Sequence, residues 1–169
     1  MGLVLAETFA VAPLGCNCAI VADLASKEAI VLDPGGEPDR VLAALARHGL
    51  TAIAIVHTHA HLDHCLSSAR LSTETGAPLL MHEGDLPLYA DLPRWGRMFG
   101  VDVEAPGAVA RRLAHGERVA CGSGALEGEW RSWSFGTGVV LQSSDHGGVG
   151  MLELRDGERR LACWRYTLA

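Results

Sequence analysis

The chain has 169 residues, a net charge of −6 and a hydrophobic fraction of 49%. These values favour a folded domain with a sizeable core, and they argue against disorder and against a nucleic-acid binder, which would normally present a basic face. The sequence contains no apolar run of about 18 residues and no polybasic segment, so we expect no membrane interaction.

The cysteine pattern indicates a reducing compartment. The five cysteines are Cys16, Cys18, Cys65, Cys121 and Cys163. An odd count without disulfide-like spacing, together with an N-terminus that lacks the positive start of a secretory signal, predicts a cytoplasmic protein. Cys16 and Cys18 are predicted to be small buried side chains on a strand.

In chain order, the first half alternates predicted strands and helices. Strands are predicted over residues 3–12, 18–24 and 29–32, and the turn at 33–36 ends the third strand. The apolar face formed by Val41, Leu42, Leu45 and Ala46 predicts a helix that ends before Gly49.

The alternation continues beyond that helix. A strand is predicted over 51–56, a helix over 65–75, a strand over 78–81, a helical excursion within 84–112 and a strand over 117–121. This rhythm predicts an α/β layered fold.

A histidine cluster follows the strand at 51–56. Four of the eight histidines, His57, His59, His61 and His64, lie within eight residues, and Asp63 lies among them. Neutral imidazole and carboxylate suit zinc and similar ions, and ligand sites gather at the carboxyl ends of buried strands. The alternative is a solvated polar loop, which the density of donors disfavours.

The spacing within this cluster predicts two metal sites. His59 and His61 are alternate residues of an extended segment and can face one ion together. Asp63 and His64 can face a neighbouring site where the loop turns into a helix. Two close ions would share a bridging hydroxide, which is a strong nucleophile near neutral pH. His57 is expected to point toward the sheet in a supporting role.

The motif resembles that of a known family. Residues 59–64, His-Ala-His-Leu-Asp-His, match the His-x-His-x-Asp-His signature of the metallo-β-lactamase superfamily. Further stretches resemble its small glyoxalase II-like (hydroxyacylglutathione hydrolase-like) members: Asn17-Cys18, residues 31–36, residues 97–100 and residues 115–119. The resemblance extends from the N-terminus to about residue 126.

The resemblance implies an αββα sandwich with a metal centre between two sheets. By position, His59 and His61 would hold the first ion, and Asp63 and His64 the second. Asp63 would also orient the attacking hydroxide, and Asp33 would support the site. The implied cofactor is zinc, as one or two ions, with iron or manganese as alternatives. The implied reaction is hydrolysis of a small-molecule thioester by metal-bound hydroxide.

The sequence departs from this family after about residue 126. Gln142 stands where the family shows the histidine of Thr-Pro-Gly-His, and Tyr166 stands near the aspartate of Gly-Asp-Thr-Leu. His146 is a candidate replacement for the missing ligand. A reading-frame slip in the gene would account for this departure from the family pattern. We therefore expect one domain over 1–169 that lacks its C-terminal strands, and a weakened activity.

Two other functions stay open from the sequence. Iron-dependent persulfide dioxygenases resemble the same fold, and a degenerate, non-catalytic metal-binding fragment is the third possibility. Outside the cluster, His82, Glu83 and Asp85 are interpreted as a helix start, and Arg111 and Arg112 as surface residues. The sequence predicts neither the acyl group nor the oligomeric state.

Overall fold

The computed structural model describes residues 3–114, 116–127, 132–135, 138–141, 149–156 and 159–167. Its central element is a six-stranded sheet whose strands lie side by side in chain order. They are β1 (Val4–Val11), β2 (Cys16–Asp23), β3 (Glu28–Leu32), β4 (Thr51–Val56), β5 (Leu79–His82) and β6 (Val109–Leu113). The first three strands are antiparallel, and β3 to β6 run parallel to one another.

Helices connect the parallel strands. They are α1 (Pro38–His48), α2 (Leu62–Cys65), α3 (Ser68–Thr75), α4 (Leu86–Ala90) and α5 (Leu92–Phe99), with a 3₁₀ turn at Glu83–Asp85. The longest, α1, has 11 residues. Nowhere in the described ranges is there a helix that could span a lipid bilayer.

Six further strands form three antiparallel pairs. They are β7 (Arg118–Cys121) with β8 (Gly124–Glu127), β9 (Ser132–Phe135) with β10 (Gly138–Leu141), and β11 (Val149–Asp156) with β12 (Arg159–Thr167).

The sheet buries apolar side chains on both faces. One face packs against the helices through Val41, Leu71 and Leu92, which are 0–1% exposed. The other face packs against the β7–β8 hairpin through Val119 and Leu126. Helices on one face and strands on the other give the layered α/β fold that the sequence predicts.

The predicted helix over 65–75 is interrupted in the structure. It is divided into α2 and α3 because the N–H of Ser67 donates to the carbonyl oxygen of Gly35, at 2.7 Å, rather than continuing the helical ladder. This bond ties the start of α3 to the turn that follows β3.

The predicted helical excursion over 84–112 is only partly correct. The 3₁₀ turn, α4 and α5 occupy residues 83–99, but residues 109–113 form β6, which pairs in parallel with β5. Arg111 and Arg112 obscured this strand, because charged residues on an edge strand interrupt the apolar pattern that identifies buried ones.

Candidate metal centre

The histidine cluster lies at one edge of the sheet. Since β3 and β4 are parallel, their carboxyl ends meet at the same edge, and the chain leaves them at Asp33 and His57. The loop from His57 to His61 then leads into α2, whose first turn contains Asp63 and His64. The structure therefore brings together the four ligands that the motif predicts, His59, His61, Asp63 and His64.

Asp33 supports the loop that carries the histidines. It is 2% exposed, and its carboxylate accepts hydrogen bonds from the N–H and the Oγ1 of Thr58, at 2.9 and 2.6 Å. Burial would raise the pKa of Asp33, but the charge of His64 and contacts with His57 and His64 bring it well below its ordinary value. A carboxylate is thus maintained beneath the cluster.

His59 and His61 form the first donor pair. The Nε2 atom of His59 lies 3.0 Å from the Nδ1 atom of His61, with the rings nearly perpendicular. The other ring nitrogen of His59 lies 2.9 Å from Thr58 Oγ1, which links it to Asp33. Burial is the largest cause of the lowered pKa of His59 and of His61, followed for both by the neighbouring His64. Both imidazoles are therefore kept neutral.

Asp63 and His64 form the second donor pair. The Nε2 atom of His64 lies 3.5 Å from Oδ2 of Asp63, and its Nδ1 atom lies 3.0 Å from Oδ2 of Asp33. Burial would lower the pKa of His64, but the charges of Asp33 and Asp63 raise it. The ring centroids of His59 and His64 lie 4.0 Å apart, so the two donor pairs are adjacent.

His57 is separate from these pairs. Its ring is fully buried, and its Nδ1 atom lies 3.7 Å from Oδ1 of Asp33. This placement agrees with the expected supporting role behind the donor atoms.

Asp85 also contributes to the site, although the sequence interpretation assigned it only to a helix start. Its buried Oδ1 atom accepts a hydrogen bond of 3.0 Å from the N–H of Ala60, between His59 and His61. Burial raises the pKa of Asp85 to about 7, and the charge of Asp33 adds to the rise. The available signal was an acidic residue just past a buried strand, β5.

Cys16 is a second residue whose position the sequence did not predict. It is buried, as expected, but its thiol donates to the carbonyl oxygen of Asp63 at 3.1 Å and so faces the donor atoms.

Arg111 pairs with Glu117 at 2.8 Å, in agreement with a surface role. Gln142 and His146 lie outside the described residues, and so does the proposed ligand replacement.

The donor set fits a divalent metal ion. Two nitrogens that bind one tetrahedral zinc ion at about 2.0–2.1 Å lie about 3.3–3.4 Å apart. The His59 and His61 nitrogens, 3.0 Å apart, need to separate by only about 0.3–0.4 Å to hold such an ion. A carboxylate behind a ligating imidazole is the usual arrangement that orients such a ring, and Asp33 lies behind His64 in this way.

Comparison with known proteins agrees with this fold. Residues 11–149 match the family model of the metallo-beta-lactamase superfamily. The match covers most of the chain, and the chain belongs to this superfamily.

Similar proteins include one named hydroxyacylglutathione hydrolase and others described as uncharacterized. A hydroxyacylglutathione hydrolase of Anaeromyxobacter dehalogenans is 42% identical over 65 residues, covering 38% of this chain and 25% of that protein. A Mycobacterium tuberculosis protein described as uncharacterized is 29% identical over 116 residues, covering 64% of this chain and 52% of its own length. The chain spans about half the length of the first curated relatives that it matches.

Solved structures show the same fold. TTHA1623 in a di-iron-bound form aligns with a TM-score of 0.63 and 30% identity, covering 72% of this chain and 59% of that chain. ETHE1 from Myxococcus xanthus aligns with a TM-score of 0.54 and 21% identity, covering 72% and 45%. The second similarity concerns the fold alone.

Proposed function

We propose that the protein is a metal-dependent hydrolase that cleaves small-molecule thioesters of the hydroxyacylglutathione type. The observation that carries this proposal is the pair of adjoining donor sets, 3.0 and 3.5 Å between their members, at one edge of the sheet. The similarity to a hydroxyacylglutathione hydrolase supports the choice of substrate class.

In this proposal, His59 and His61 hold one ion, and Asp63 and His64 hold a second. Zinc suits the nitrogen and oxygen donors, and the di-iron form of TTHA1623 makes iron a second choice. A bound divalent ion lowers the pKa of water and polarises a carbonyl oxygen.

The chain's own residues position the reactants. Asp63 orients the water and accepts its proton while the water oxygen attacks the thioester carbonyl carbon. The carbon–sulfur bond then breaks, and the proton held by Asp63 passes to the departing sulfur, which releases a carboxylic acid and a thiol. Asp33 keeps His64 and Thr58 in place through the contacts described above, and the loop stays fixed while the substrate changes shape.

Metal content and S-lactoylglutathione turnover test this function. We expect zinc to bind to the full chain, and a His59→Ala, His61→Ala double variant to lose at least about 100-fold in turnover along with bound metal. His48→Ala serves as the matched control, because His48 lies at the end of α1 and pairs with Glu7. Equal metal content and equal turnover in the double variant and the wild type would overturn the site.

The same preparations distinguish the other two functions. One iron per chain with oxygen consumption on a persulfide would favour the dioxygenase. The di-iron form of TTHA1623 supports iron as a metal for this fold, but not the single iron that this reaction requires. A chain that takes up no metal from zinc-containing buffer and cleaves no thioester would be the non-catalytic fragment.

We further propose that residues 1–169 form a single domain that acts in the cytoplasm on a small molecule, without nucleic acid or membrane. The four cysteines that the structure describes by their side chains are free, which agrees with a reducing compartment.

A further inference from the structure

Cys16 reaches the candidate metal centre from a different strand. It is the first residue of β2, and β2 is antiparallel to β3, with Ala19 opposite Leu32. The start of β2 therefore lies at the edge where β3 ends in Asp33. The thiol of Cys16 lies 3.1 Å from the carbonyl oxygen of Asp63 and 3.9 Å from that of Asp33.

The thiol also lies near two of the donor side chains. The Sγ atom of Cys16, a carboxylate oxygen of Asp63 and a ring nitrogen of His64 all lie within 4.8 Å of one another. We infer that Cys16 is a third ligand of the second ion, so that this ion has a mixed sulfur, nitrogen and oxygen site. The inference rests on the proposed function, since it concerns the same metal centre.

The distances allow such a site after a small contraction. Zinc bonds of about 2.3 Å to sulfur and about 2.0 Å to nitrogen place these two atoms about 3.5 Å apart in a tetrahedral site. Since the three atoms lie within 4.8 Å of one another, the sulfur–nitrogen separation must shorten by about 1.3 Å at most. When the ion binds, the thiol proton leaves to solvent and the thiolate replaces the S–H bond to Asp63 with a bond to the metal.

A cysteine ligand would make the second site selective among metal ions. Asp63 and His64 alone would leave an ion with one carboxylate and one neutral ring, a pair that several metals accept. A thiolate adds a second negative charge and a soft donor, which favours zinc, cobalt or cadmium over magnesium or calcium. A packing role alone does not explain why the thiol faces two backbone carbonyls at the donor atoms.

Cobalt(II) titration of the full chain tests this inference. We expect a thiolate-to-cobalt charge-transfer band in the near ultraviolet for the wild type. Cys16→Ser should abolish the band and weaken the second ion by at least about 10-fold, while the first ion still binds. Cys18→Ala is the matched control, because Cys18 lies two residues along the same strand and is fully buried. It should keep the band.

Two results would overturn the inference: cobalt bound to the wild type without the band, or a band that persists in Cys16→Ser. If circular dichroism shows that Cys16→Ser does not fold, a second experiment takes the place of that variant. The wild type is alkylated with and without cobalt, and peptide mass spectrometry then measures the alkylation of each cysteine. Cobalt should then protect Cys16 more than Cys18, and equal protection would count against ligation.

The outcomes separate this inference from the proposed function. Metal-dependent thioester turnover without the thiolate band would remove only the role of Cys16. A band without thioester turnover would leave Cys16 as a ligand and remove the thioesterase. A wild type that binds no cobalt would overturn both.

Discussion

At the scale of single residues, the site depends on buried carboxylates that do not belong to the signature motif. Asp33 has a φ of 47°, in the left-handed region, and this conformation turns its carboxylate toward Thr58 and His64. Asp85 accepts a hydrogen bond from the N–H of Ala60. The loop that carries His59 and His61 is thus held at two backbone positions, and the imidazoles need little reordering to bind an ion.

Replacement of Asp85 tests this support. Asp85→Ala leaves the buried N–H of Ala60 without its acceptor, which costs about 1–3 kcal/mol and loosens the loop between the two histidines. We therefore expect zinc affinity to fall by about 10–100-fold. Asp85→Asn keeps an oxygen acceptor and removes a carboxyl group that burial disfavours in its charged form, so it should retain most of the affinity.

The comparison is made by zinc titration with a competing chromophoric chelator. Asp102→Ala, which changes an exposed aspartate, controls for loss of negative charge. Affinity that is unchanged in Asp85→Ala would show that the loop keeps its shape without this acceptor.

At the scale of elements, the sequence predicted most strands and helices and the proximity of the four candidate ligands of the motif, because both follow local patterns. The apolar run at Thr51–Val56 defines β4 to the residue, and the motif follows it directly. The sequence did not predict that Asp85 and Cys16 would lie at the site. Their positions depend on how β2 and β5 pair with the neighbouring strands of the sheet, and no local period records that pairing.

The turn after β3 also has a role that the sequence did not predict. Its glycines predicted a turn, but the structure gives Gly35 a second role beside α2. The N–H of Gly35 donates to the carbonyl oxygen of His64 at 3.1 Å, and its own carbonyl accepts from Ser67. Gly35 has a φ of 60°, and a Cβ atom there would overlap the side chain of Val11. The turn and α2 therefore need glycine at this position.

Gly35→Ala should both destabilise the fold and weaken the site. We expect overlap with Val11 to reduce the free energy of unfolding by about 1–3 kcal/mol beyond the cost of the left-handed backbone. The resulting shift of α2 should reduce zinc affinity, because Asp63 and His64 lie on that helix. Urea denaturation and zinc titration measure the two effects.

Gly76→Ala provides the matched control. Gly76 has a φ of 74° at the end of α3, but a Cβ atom there meets nothing within 4 Å. It should carry only the backbone cost, about 1–2 kcal/mol, and leave zinc affinity unchanged. Equal zinc affinity in the Gly35 variant and this control would contradict the proposed contact between turn and helix.

At the scale of the whole molecule, the centre joins parts of the chain that are distant in sequence. Asp33 follows β3, the histidines follow β4, Asp85 follows β5 and Cys16 begins β2. An ion bound there would connect the ends of four neighbouring strands and α2. Burial, and after it the charge of the neighbouring His64, lowers the pKa of His59 and of His61, so both rings are neutral and each keeps a lone pair free for an ion. A bound ion should therefore stabilise the folded chain as well as supply its chemistry.

Thermal unfolding with and without metal tests this coupling. A ligand at about 100 times its dissociation constant stabilises a fold by about 2.7 kcal/mol, and for a chain of this size that raises Tm by about 5–10 °C. Zinc should produce such a rise in the wild type, and a chelator should reverse it. The His59→Ala, His61→Ala double variant should show a much smaller rise, whereas His48→Ala should respond as the wild type does. If the double variant gained as much as the wild type, the stabilising ion would be bound elsewhere, and the edge of the sheet would not be the metal centre.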